Sequence, residues 1–169
     1  MDINTTAEFR TIKKRNIQAL IEASKVKKIE SKGFLGFFKK VEYEDNFESY
    51  IAENTRLLGT LSGEGFLLFD DLVTFLQKYV SIDLNRAILI LEREEKAFFL
   101  NTDYVQNIAD QLSATTIKDK ELEEFNEFNI GAPMPEMVGP QKEQIDQVLS
   151  LLKQLNEEVL YIRCELISE

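Results

Sequence analysis

The side chains that most often carry out chemistry are scarce in this sequence of 169 residues. It contains no histidine and one cysteine, Cys164. Histidine is the commonest general base and metal ligand, and a Ser–His–Asp triad requires it. Cys164 falls on the apolar side of a predicted strand with no histidine to activate its thiol, so we interpret it as a small buried hydrophobic side chain. The sequence therefore predicts no catalytic residue, no metal site and no cofactor.

Two pairs of adjacent carboxylates, Asp70–Asp71 and Glu94–Glu95, are the remaining candidates for acid–base or metal chemistry. Adjacent side chains point apart on a helix or a strand, so neither pair converges on one ion by itself. No loop has the ligand spacing of a calcium site. We interpret both pairs as solvated surface and as candidate partner-binding residues. An enzyme whose distant carboxylates meet in the fold, as in glycosidases, is an open alternative.

The segment from Lys32 to Lys40 has the composition of a contact surface, because bulky apolar residues and two glycines lie between lysines. One interpretation is an exposed loop in which Phe34, Leu35 and Phe38 dock into a partner groove or a membrane interface. The alternative is a strand whose Phe37 and Val41 face the core while Lys39 lies at its edge. A protein groove is favoured over an anionic membrane because the net charge of the chain is −10.

Charge is unevenly distributed along the chain. Residues 9–40 carry ten Lys or Arg and two Glu, whereas the sequence from Val41 onward carries ten Lys or Arg and twenty-six Asp or Glu. The simple explanation is solubility from a charged surface. The more specific explanation is an acidic face that attracts a basic protein partner. An acidic chain is poorly suited to binding nucleic acid.

Three helices are predicted in the first half of the chain: from Thr5 to Ser24 or Lys25, from Asp45 to a cap at Gly59, and from Phe66 to Val80. Thr5 and Glu8 have the spacing of a capping box, and apolar residues follow at helical period. The third segment is apolar nearly all round, which is typical of a central helix.

The second half predicts three more helices, at Thr102–Leu112, at 118–128 and from Pro140 to Leu155. The predicted strands are a weak one through Val41 and Tyr43, then Ala87–Leu91, Ala97–Leu100 and Val159–Leu166. Gly131–Pro140 contains all three prolines and is predicted to be a loop. Leu160, Ile162 and Cys164 alternate with polar residues, which predicts a half-buried last strand. The class is α+β, a mostly helical single domain with a small, mainly antiparallel sheet.

The C-terminal third, over about residues 98–166, resembles the YfbM-like family of bacterial proteins of unknown function. The resemblance lies in the run Val105–Ser113 and in the order of an acidic helix, a proline-containing loop, a helix and a strand. It implies a small cytosolic α+β protein with no established activity. Some small acidic bacterial proteins of this general type neutralise toxins as immunity proteins, an analogy that assigns no residue.

These observations favour a non-enzymatic protein-binding module of the immunity type, with an acidic face for a basic partner. The alternative is a small-ligand binder, or an enzyme that uses carboxylates or lysine, with a pocket near Gly131–Pro140. The N-terminus lacks a basic region followed by an apolar core, so we expect a cytoplasmic location. No apolar run approaches the roughly 20 residues of a membrane span.

Overall fold

The central sheet combines strands from both ends of the chain. The computed structural model describes residues 3–25, 27–32, 39–61, 65–81, 88–89, 96–156 and 158–168. The strands of the sheet are β1 (Ile3–Ile12), β4 (Thr55–Leu61), β5 (Ile88–Leu89), β6 (Lys96–Leu100) and β7 (Val159–Ser168). They are antiparallel, in the order β4-β1-β7-β6-β5. The strands β2 (Lys27–Lys32) and β3 (Lys39–Glu44) form a separate antiparallel hairpin.

Six α-helices lie within the described part of the chain. They are α1 (Ile17–Ala23), α2 (Phe47–Asn54), α3 (Phe69–Leu76), α4 (Thr102–Ser113), α5 (Asp119–Ile130) and α6 (Pro135–Lys153). The predicted α+β class is confirmed. None of the helices in the described ranges is both long enough and apolar enough to cross a membrane.

Helices cover the two faces of the sheet in separate layers. Side chains from α3, α4, α5 and α6 form one hydrophobic cluster with Phe9, Phe98 and Ile162 of the sheet. On the opposite face, α1 and α2 form a second cluster with residues that include Tyr161. The predicted last strand is confirmed as β7, but the prediction that it is half-buried is wrong. Both faces of β7 are covered from Val159 to Cys164, so the polar side chain of Arg163 is also buried.

The predicted first helix is wrong over its first half, because residues 5–12 belong to β1. Pairing with β7 extends from Ile3 opposite Ser168 to Ile12 opposite Val159. This segment also contains three threonines, which favour strands. The helix forms only from Ile17 and ends at Ala23, close to the predicted end. Ladder pairing with a strand about 150 residues away overrides the local capping-box spacing.

The second helix is shorter than predicted, since α2 ends at Asn54 and the chain continues as β4. Gly59 lies in that strand and does not cap a helix. A Cβ atom at Gly59 would lie 2.7 Å from Cδ2 of Leu151 in α6. The glycine thus permits close approach of the edge strand to a helix, a role that the sequence alone does not distinguish from a cap.

The predicted loop Gly131–Pro140 is too long, because α6 begins at Pro135. Proline suits this first helical position, where its missing N–H needs no partner. Pro140 lies inside the helix and follows Gly139, which has no Cβ to clash with the proline ring in helical geometry. Pro140, at which the sequence predicts the helix to start, is therefore compatible with a continuous helix.

Candidate functional site

Of the sequence-predicted site residues, only Asp70 and Asp71 lie within the described part of the chain. Phe34, Leu35, Phe38, Glu94 and Glu95 lie outside the described residues. The remaining pair lies in the first turn of α3, where both side chains are half-buried.

Asp71 has a structural role at the start of α3. Its Oδ2 accepts a hydrogen bond of 3.2 Å from the backbone N–H of Leu68, which is a capping interaction. Burial raises the pKa of the Asp71 carboxyl, and the charge of Asp70 adds to this effect, while the hydrogen bond from Leu68 opposes it. The geometry therefore assigns Asp71 to helix capping.

Asp70, Asp71 and Cys164, the described residues considered for metal or thiol chemistry, occupy ordinary structural positions. Within the described ranges, no three His, Cys, Asp or Glu side chains are grouped so as to hold a metal ion. Cys164 is buried on β7, on the face covered by α3 to α6, as its apolar neighbours predict.

A cleft of about 360 Å³ lies between the end of α4, the segment that follows it and the middle of α6. It is displaced from the predicted location beside Gly131–Pro140. Its charged lining residues are Asp146 and Lys142, and the Lys142 ammonium is already paired with the carboxylate of Asp119. A second cavity, of about 40 Å³, lies in the core between α3 and the sheet, and its lining is entirely apolar.

Helices α3 to α6 are termed the helical layer below. Within this layer, α5 carries the densest charge. Its twelve residues include five carboxylates and one lysine. Leu122, Phe125 and Asn126 face inward and are buried, so the opposite face, with Glu124 and Glu127, is directed outward. The wider layer is acidic too, because residues 65–81 and 101–156 contain twelve carboxylates and five lysines.

Some carboxylates of α5 are already engaged within the molecule. Glu121 accepts a hydrogen bond of 2.8 Å from the backbone N–H of Lys118, and this bond, aided by one from the Tyr79 hydroxyl, lowers the pKa of Glu121. Glu124 lies 3.4 Å from the ammonium of Lys120. In contrast, no residue in the described ranges forms a hydrogen bond or an ion pair with the carboxylate of Glu123 or Glu127.

Two exposed apolar side chains lie at the end of the same helix. Phe128 is 89% exposed, and Ile130 is 41% exposed. One turn earlier, Phe125 is buried and its ring centroid lies 5.8 Å from that of Phe66 and 5.3 Å from that of Phe75. Glu123, Glu127, Phe128 and Ile130 together are termed the α5 surface below.

The α5 surface is held in place by buried polar contacts behind it. Asn126 and Gln141 exchange two side-chain hydrogen bonds, of 3.1 and 2.7 Å, and Asn126 also donates to the carbonyl oxygen of Pro133. Gly131 ends the helix in the left-handed conformation that glycine favours. These contacts join α5 to α6 on the side of the helix that faces away from solvent.

The sequence analysis predicts a helix at 118–128 but names no residue of this surface as a candidate site. A signal was nevertheless present. At about 100° per residue, Phe128 points about 120° away from Leu122, so it falls outside the buried stripe. Local periodicity therefore identifies Phe128 as a ring that the core does not need.

No protein-family model, curated protein or solved structure matches this chain.

Proposed function

We propose that this chain is a non-enzymatic protein-binding module that takes a basic protein on the α5 surface, in the manner of a bacterial immunity protein that neutralises a toxin. The observation that carries the proposal is the 89% exposure of Phe128 next to Glu127, whose carboxylate has no partner among the described residues. Aromatic anchors supply much of the energy at protein interfaces, and surrounding charges select the partner.

The charge layout supports a basic partner. The helical layer has an excess of carboxylates, whereas residues 13–40, which include α1, contain nine Lys or Arg and two Glu. A basic molecule that approaches the helical layer is attracted over a distance of roughly 10 Å at moderate salt. The carboxylates Asp70 and Asp71 on α3 add to this field, and we include Glu94 and Glu95 in the proposed acidic face on the basis of sequence alone.

The test uses three forms of the full chain as affinity baits in extracts of the native cell, at low and at high salt. These are the natural protein, a variant with Glu123→Gln, Glu127→Gln and Phe128→Ser, and a control variant with Glu53→Gln and Tyr43→Ser, which changes exposed residues elsewhere. We expect the natural and control forms to capture the same basic protein in a salt-sensitive manner, and the α5 variant to lose it.

The captured protein is then identified, purified and titrated with each form by calorimetry. An immunity role further predicts that its expression is toxic to cells and that co-expression of the natural chain, but not the α5 variant, restores growth. Equal binding by all three forms, or an acidic partner that resists salt, would contradict the proposal. The proposal includes a cytoplasmic location, which cell fractionation tests. The resemblance to the YfbM-like family assigns no residue to the proposed binding surface.

A further inference from the structure

The molecule already contains one arrangement in which a helix holds an arginine with an adjacent aromatic and carboxylate pair. Phe47 and Glu48 are consecutive residues at the start of α2. The guanidinium of Arg163 lies over the Phe47 ring, 5.5 Å from its centroid, and donates to both carboxylate oxygens of Glu48 at 2.7 and 3.3 Å. Stacking and a forked pair of hydrogen bonds thus act on one guanidinium.

A second cation also lies over aromatic rings in the helical layer. The ammonium of Lys78 is 5.4 Å from the ring centroid of Phe75 and 5.2 Å from that of Phe125. The faces of phenylalanine rings in this protein therefore attract cations of both types, as the quadrupole of the ring requires.

The α5 surface presents the same two groups without a cation in the described structure. Glu127 and Phe128 are consecutive, in the reverse order to Phe47 and Glu48, and Glu124 precedes Phe128 by one helical turn. Glu124 is already paired with Lys120, so Glu127 is the carboxylate next to Phe128 that has no partner among the described residues. No aromatic or cationic group of the described residues covers the Phe128 ring.

We infer that the α5 surface binds an arginine side chain of the basic partner, which stacks on Phe128 and pairs with Glu127. This inference rests on the proposed function and adds the identity of the contacting residue. Arginine fits better than lysine because its guanidinium is planar, weakly hydrated and forked, so it stacks and pairs at the same time. A lysine ammonium is a hydrated point charge that gains mainly from the carboxylates.

The test compares two probes of equal length and charge, octa-arginine and octa-lysine, titrated separately into the full ¹⁵N-labelled chain at low salt. Amide shifts locate the binding site, and their concentration dependence gives Kd. We expect shifts at residues 123–130 with both peptides and a Kd about threefold to fivefold lower for octa-arginine, which matches an exposed cation–π contact. Phe128→Leu keeps an apolar side chain and is expected to abolish the preference for arginine.

Two controls separate the inference from the proposed function. Tyr43→Leu changes an exposed ring in the hairpin and is expected to leave both Kd values unchanged. Glu127→Gln is expected to weaken the binding of both peptides, because it removes a carboxylate charge that attracts both of them. Equal Kd values for the two peptides, or an arginine preference that survives Phe128→Leu, would overturn the inference. The proposed function, binding of a basic protein on the α5 surface, would still stand. If neither peptide shifts residues 123–130, the inference and the proposed function both fail.

Discussion

At the scale of single residues, Thr11 is the clearest case of a polar group placed at a cost. It is 1% exposed, and its Oγ1 atom has no hydrogen-bond partner among the described residues. A buried hydroxyl without a partner costs about 1 to 3 kcal/mol relative to water. β1 nevertheless tolerates the residue, because threonine suits a strand and its methyl group packs in the core.

Thr11→Val is therefore expected to raise the free energy of unfolding by about 1 kcal/mol, since valine keeps the shape and removes the hydroxyl. Urea unfolding measures the change. The matched control is Thr55→Val, which is expected to lower the free energy by about the same amount. The Thr55 hydroxyl donates to the Ile51 carbonyl at 2.7 Å and accepts from Arg10 at 3.0 Å. A loss of stability in Thr11→Val would show that its hydroxyl is satisfied.

Tyr79 connects the end of α3 to α5 through a titratable group. Burial, followed by the hydrogen bond to Glu121 and the charge of Glu121, raises the pKa of Tyr79 to about 12 from its ordinary value of 10.0. Because folding raises the pKa of this phenol, the folded state binds the proton more tightly than the unfolded state, and the protonated Tyr79 stabilises the fold. Its contribution is therefore fully present below pH 10 and is lost as the pH rises to about 12.

Tyr79→Phe is expected to flatten the fall in the free energy of unfolding between pH 10 and 12. Urea midpoints at several pH values in this window test the expectation. Tyr43→Phe is the control, since Tyr43 is 68% exposed, and it is expected to keep the natural slope. Identical slopes in all three proteins would mean that the Tyr79 hydroxyl does not couple to folding.

At the scale of elements, Gly65 allows the segment that precedes α3 in the sequence to lie close to α6. Its φ is +137°, and a Cβ atom there would lie 2.5 Å from Oε1 of Gln144 and 3.1 Å from the carbonyl oxygen of Pro140. The same Oε1 atom accepts a hydrogen bond of 2.8 Å from the backbone N–H of Phe66. A single buried glutamine thus fixes the loop that leads into the central helix.

Gly65→Ala is expected to lower the free energy of unfolding by about 2 to 4 kcal/mol, because it combines backbone strain with a clash. Gly131→Ala serves as the control. Its φ is +86° and no atom lies within 4 Å of the added Cβ, so we expect strain alone, about 1 kcal/mol. Thermal or urea unfolding distinguishes them, and equal losses would remove the argument for a clash with Gln144.

At the scale of the whole molecule, the layers on the two faces of the sheet are joined to it in different ways. The helical layer of α3 to α6 packs mainly through apolar side chains. The layer of α1 and α2 has a smaller cluster and an additional ionic connection, because Arg163 of β7, whose side chain is 4% exposed, reaches Glu48 of α2 and lies 3.5 Å from Glu8 of β1. A buried cation needs such counter-charges.

Glu48→Gln is expected to lower the free energy of unfolding by about 1 to 3 kcal/mol, since it removes the charge of the carboxylate that lies 2.7 Å from the buried guanidinium. Urea unfolding at neutral pH measures this. Glu53→Gln lies on the same helix at an exposed position and is expected to change stability by less than about 0.5 kcal/mol. Similar small effects in both variants would show that the pair between α2 and β7 contributes little.

The local pattern predicts those parts of the fold whose signal repeats within one element. α4, α5, the later turns of α6, the pairing of β5 with β6 and the buried Cys164 all follow from periodicity and apolar runs. The candidate site was only partly predictable. An acidic face was expected, but the described members of the original set, Asp70 and Asp71, lie on α3, and the exposed ring of Phe128 was missed.

Composition and sequence by themselves determined the α+β class, the scarcity of catalytic side chains and the acidity of the later part of the chain, because these depend on residue types and local spacing. Tertiary structure alone decided that residues 3–12 and 55–61 are strands and that both faces of β7 are covered. Each of these features depends on which distant segment packs against a residue, and ladder pairing or burial by a distant element outweighs a local preference of less than about 1 kcal/mol per residue.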